Sequence, residues 1–114
     1  MRARQPEWAV NGLALALVPE LLARTDLVGW QRSVAALAAT FASDLAALGF
    51  AARATAANWL LVDDAGLRIR LAPRGIVVRD CTSFGLPGLH RVAVPRPVDL
   101  DRVLTAFALA GTMA

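Results

Sequence analysis

Lysine is absent from the 114 residues, and tyrosine is absent too. All twelve cationic residues are therefore arginine, and no side chain can act as an amine nucleophile. One cysteine, Cys81, and one histidine, His90, exclude an internal disulfide and cannot fill a tetrahedral zinc shell, so metal binding is not expected. Hydrophobic residues make up 57% and mean hydropathy is +0.52. Even so, no apolar run reaches the roughly 18 residues that a membrane span needs. Arg32 and Asp44 interrupt the longest candidate.

The opening MRARQPEWAVNGLALALVPELLARTD carries early arginines and an apolar run from Leu13 to Val18, as a signal peptide does. Glu7 and Trp8 precede that run, Pro19 and Glu20 close it, and no small-x-small cleavage site follows at the right distance. A cytoplasmic location is the expectation. A formal charge of +3 is modest, and the pI near 11.0 reflects arginines that never titrate. They are spread without a basic run or interleaved aromatics, so neither nucleic acid nor a membrane is an expected partner.

The apolar residues that are present repeat at informative spacings. Asn11 can cap a helix from Gly12 to about Ala23, with Leu13, Leu17 and Leu21 on one face and a kink or short break expected at Pro19. Thr25 or Asp26 can cap a second helix whose stripe of Trp30, Val34, Leu37, Phe41, Leu45 and Leu48 ends at Gly49. Extended segments follow at Phe50–Ala54 and Trp59–Val62. Asp63 or Asp64 can start a short helix through Leu67 and Leu71, ended by Pro73 and Gly75. GIVVRD and HRVAV read as two more strands, and Asp99 can cap a last helix with Leu100, Val103, Leu104 and Phe107 inward. The expected fold is α/β in composition and α+β in layout. Two N-terminal helices precede a small β-β-α-β-β-α sandwich, whose mainly antiparallel sheet is covered by helices on one face.

In HRVAV, His90 and Val92 alternate with Arg91 and Ala93, which puts a guanidinium on the small-residue face of a strand. Such a fork is costly to desolvate unless an anion meets it, so Arg91 is either an anion ligand or a solvated edge residue. Arg79 poses the same alternatives, with Asp80 beside it as an available local partner. Cys81 with His90 lacks an orienting third group, which favours a buried structural thiol over a nucleophile. FGLPG, Phe84–Gly88, lacks the lysine and hydroxyl of a phosphate loop and reads as a rigid turn. Trp8 and Trp59 could stack on a flat ligand, though core packing is the commoner use of tryptophan beside apolar runs.

The stretch RGIVVRDCTSFGLPGLHRVAVPRP resembles the closing segment of fold-type I pyridoxal-phosphate enzymes of the class I/II aminotransferase family. It is most similar to the histidinol-phosphate aminotransferase group and to threonine-phosphate decarboxylase of cobalamin biosynthesis. RQPEWAVNGLA and AANWLLVD resemble other pieces of that family in order and spacing. The resemblance implies that Arg91 holds the substrate's anionic group, usually a carboxylate, and that Arg79 can approach a substrate phosphate. It implies residues 1–49 as a helical link to a large domain and 50–114 as the small C-terminal domain. Pyridoxal phosphate is the cofactor of the intact family enzyme. No residue here matches its Schiff-base lysine, so the expectation is a C-terminal fragment or half of a split enzyme that does not catalyse alone. Its expected partners are a large cofactor-binding domain and a small anionic amino-acid phosphate. A noncatalytic module that forms a homodimer or binds a partner is the alternative.

Overall fold

In the computed structural model, which describes residues 10–111, the Asn11 side chain accepts the Ala14 N–H at 2.8 Å and so satisfies one of the orphan donors that open a helix. That helix, α1, spans Gly12–Ala23 and continues through Pro19, so of the kink or short break expected there the break is not seen; one missing donor removes a single ladder bond. Asp26 opens α2, Leu27–Ala47, by accepting the Gly29 N–H at 2.8 Å. At its other end Gly49 adopts φ +86°. The Gly49 and Phe50 amides then bond back to Ala46 and Leu45, each at 3.0 Å, and the chain leaves the helix for the sheet.

Inter-residue contacts divide the chain into two compact units that meet between Gln31 and Arg32, inside α2. The first unit holds α1 and the first turn of α2. None of the α1 residues is buried.

The second unit contains the remainder of α2, then β1 (Ala51–Ala54), β2 (Trp59–Asp63), α3 (Leu67–Leu71), β3 (Arg79–Asp80), β4 (Leu89–Ala93) and α4 (Leu100–Gly111). The four strands form one sheet in the order β1-β2-β4-β3, and every neighbouring pair is antiparallel. Alternation puts Leu60, Val62, His90 and Val92 on the covered face. Against them pack Ala38, Phe41 and Leu45 of α2, Leu67 and Leu71 of α3, and Val103, Ala106, Phe107 and Ala110 of α4. Phe107 meets Phe41 and Phe50 edge-on, with ring centroids 6.3 Å and 5.1 Å away. This is the expected α+β small domain.

Three local expectations differ from what is seen. The α2 stripe is buried only over its C-terminal half: Phe41 is 1% exposed and Leu45 0%, whereas Trp30 is 62% exposed. The strand expected over GIVVRD is reduced to Arg79–Asp80. Ile76 bonds to Leu71 and Val94 bonds to Asn58, so the two segments part and leave a hollow of about 270 Å³ between residues 75–78 and 92–95. The Asp99 carboxylate accepts from Arg96 Nε at 2.8 Å, and no bond from it to a helix amide is seen among the described residues.

Candidate functional site

The face of the sheet opposite the packed helices of the second unit carries the two arginines singled out from the sequence. Arg79 of β3 stands directly opposite Arg91 of β4, Arg91 opposite Leu61 of β2, and Leu61 opposite Arg53 of β1. Directly opposed residues share a face, with Cβ atoms about 4.5–5.5 Å apart. The register therefore draws one transverse row, Arg53, Leu61, Arg91, Arg79. Both Arg79 and Arg91 are exposed while His90 and Val92, on the opposite side of the same strand, are buried.

Two like charges set opposite each other weaken a strand pair unless something neutralises them. Among the described residues neither Arg79 nor Arg91 has an ion pair or a side-chain hydrogen bond; each lies over an aromatic ring instead. The Arg91 guanidinium carbon sits 4.9 Å from the centroid of Trp59, and that of Arg79 sits 5.6 Å from Phe84. An aromatic face orients a guanidinium without occupying its N–H groups, so the planar fork stays available to a carboxylate or phosphate. Trp59, for which core packing was the commoner expectation, is only half-buried and serves Arg91 in this way. Trp8 lies outside the described residues.

Other arginines are committed to structure. Arg70 pairs with Asp64 and donates from Nε to the Ala110 carbonyl at 3.1 Å. Arg74 donates to the Leu109 carbonyl at 3.2 Å and to the Arg70 carbonyl. Together these two occupy carbonyls that the end of α4 leaves open. Arg24 pairs with Glu20 at 2.5 Å and Arg96 with Asp99 at 2.8 Å. The contrast separates arginines that hold the fold from those left facing outward.

Asp80, the local partner considered for Arg79, turns away from it. Strand alternation puts its carboxylate on the covered side, where it accepts the Thr82 backbone N–H at 2.6 Å and lies 4.0 Å from His90 Nε2. The Thr82 hydroxyl and backbone N–H, in that order, hold its pKa below the ordinary aspartate value, with smaller contributions from His90 and Arg68. His90 is 2% exposed and, among the described residues, its Nδ1 has no hydrogen-bond partner. Cys81 is buried and its thiol donates to the Arg79 carbonyl at 3.7 Å, as a structural cysteine does. Phe84–Gly88 is a turn, with Gly85 and Gly88 both at positive φ.

Two shallow hollows flank the row. One of about 290 Å³ is lined by Arg68, Val77, Val78, Arg79 and Asp80. The other, about 380 Å³, is lined by Ala51, Ala52, Arg53, Leu61, Asp63 and Leu89. By register, Arg91 stands between Arg79 and Leu61, and a row of arginine positions crosses this sheet face. Arg53 drew no attention in the sequence, where AARA offers only a short extended run. Its only signal would have been the pairing of that run with Trp59–Asp63.

An antiparallel sheet packed by helices on one face, with outward-facing arginines on the other, defines a small α+β domain. No protein-family model matches the chain, and no curated protein matches it. Among solved structures it is similar to a Burkholderia pseudomallei K96243 protein provisionally described as an aminotransferase, with 33% identity over 68% of this chain and a TM-score of 0.63. The chain spans about a quarter, 25%, of that protein's length. The fold is thus aminotransferase-like, and the domain is related to those of aminotransferases. Aminotransferases as a family use pyridoxal phosphate. The residues here do not fit its covalent attachment, because the chain contains no lysine. No described helix is long and apolar enough to cross a membrane.

Proposed function

We propose that the chain acts as the small substrate-recognition domain of an aminotransferase-type pyridoxal-phosphate protein, of the histidinol-phosphate aminotransferase or threonine-phosphate decarboxylase kind. Its role is to present Arg91 and Arg79 to an anionic group of a small amino-acid phosphate. A large domain supplies the cofactor lysine, and this chain supplies positioning and no covalent step. One observation supports the reading: Arg79 and Arg91 are directly opposed residues of β3 and β4, and among the described residues neither side chain has an ion pair. A carboxylate or phosphate bridging them relieves their repulsion and receives charge-assisted hydrogen bonds from both.

Calorimetric titration of the chain with inorganic phosphate tests this. Arg91→Ala and Arg79→Ala are each expected to weaken binding about tenfold, the size of one lost charge-assisted contact. Equal affinity in wild type and both variants sinks the proposal.

A second reading, a module that binds a partner or a second copy without catalysing, is favoured by the first unit. Leu13 is 69% exposed, Leu15 66% and Leu21 61%, and apolar surface on this scale ordinarily marks an interaction site. The two readings are compatible when the partner is the large domain.

A further inference from the structure

The guanidinium row does not stop at Arg91. Arg53, on the edge strand β1, lies in the same row and on the same face, with Leu61 between the two. Like the other two, Arg53 has no ion pair or side-chain hydrogen bond among the described residues. Two strand spacings separate its backbone from that of Arg91, roughly 10 Å. The hollow beside it, about 380 Å³, is lined mainly by the small or apolar Ala51, Ala52, Leu61 and Leu89. Asp63 lines it as well. The Arg79–Arg91 end thus holds two unopposed positive charges, while the Arg53 end holds one positive charge near one negative charge.

We infer that Arg53 is a second anion-binding position, and that the ligand class of this face is a small molecule with an acidic group at each end of an apolar stretch. One acidic group lies between Arg79 and Arg91, the carbon chain crosses Leu61, and the far acid reaches Arg53. Asp63 lowers the positive field there, so a singly charged carboxylate suits that end better than a doubly charged phosphate. The inference rests on the Arg79–Arg91 reading given above and adds the length and the two-ended charge of the ligand.

Saturated dicarboxylates of increasing length measure the span. Extended suberate sets its carboxylates roughly 9 Å apart, since seven C–C bonds of about 1.5 Å zigzag between them. Titration of the full chain with acetate, succinate and suberate is expected to show suberate binding about tenfold more tightly than acetate, with succinate close to acetate. Arg53→Ala is expected to abolish the suberate advantage, so that suberate binds no more tightly than acetate. Arg53→Gln, which keeps the side-chain length, does the same and guards against a misfolded edge strand, with circular dichroism as the check. If suberate keeps its advantage in both Arg53 variants while Arg91→Ala weakens acetate, the second position is overturned and the Arg79–Arg91 reading stands. If Arg91→Ala and Arg79→Ala leave acetate binding untouched, that reading fails together with its extension.

Discussion

Arg91 and Trp59 show how a neighbouring ring holds a single exposed guanidinium. A guanidinium on a strand surface samples many rotamers, and a ring 4.9 Å from its centre narrows them. Trp59→Ala is therefore expected to weaken phosphate binding about two- to fivefold, because a cation–π contact at an exposed site is worth about 0.5–1 kcal/mol. Trp59→Phe should recover part of that loss, and calorimetry on the two variants checks both. Asp80 makes a different prediction. Its pKa is lowered in the folded chain, first by the Thr82 hydroxyl and then by the Thr82 N–H. Its contribution to stability is therefore present above the ordinary aspartate value and is lost as pH falls through the lowered one. Comparing urea midpoints at about pH 7 and about pH 3, Asp80→Asn should lose less between the two than wild type does. An unchanged acid sensitivity would show that Thr82 does not hold the carboxylate.

At the scale of elements, the sheet depends on a few large side chains. Phe107 is fully buried, and it ties α4 to Phe41 of α2 and to Phe50, which leads into β1. Phe107→Ala removes a ring from a packed interior and leaves a cavity, which should cost about 3–5 kcal/mol of stability. Urea denaturation followed by far-UV circular dichroism measures that loss. The elements also show where one sequence supports an accurate reading. Caps at Asn11 and Asp26, the stop at Gly49 and the apolar spacing of Val103 and Phe107 each involve neighbours within a helical turn, and each is seen as expected. The length of β3 was not legible, because it depends on whether residues 75–78 pair with β4. That is decided by bonds from Ile76 to Leu71 and from Val94 to Asn58, made by residues with no local signal for them.

At the scale of the whole molecule, the described part of the first unit leaves most of its large apolar side chains exposed. Leu13, Leu17 and Leu21 lie four apart on one side of α1 and are 69%, 47% and 61% exposed. Sedimentation equilibrium is expected to give a mass above the 12.1 kDa of one chain, and replacing these three leucines by glutamine should return it to that value. A wild-type chain that sediments as a monomer and binds no apolar dye would count against this surface as a docking site.

The sequence by itself determined that no lysine is present to hold a carbonyl cofactor, that two arginines stand on strand-forming segments, and that helices flank a small sheet. These are matters of composition and of contacts within a few residues. Only the tertiary structure decided that Arg79 faces Arg91, that Asp80 serves Thr82 instead of Arg79, and that Arg53 joins the row from another strand. Strand register is set by long-range packing of Leu60, Val62 and Val92 against the helices, and a shift of one residue would have turned every arginine in the row to the other face.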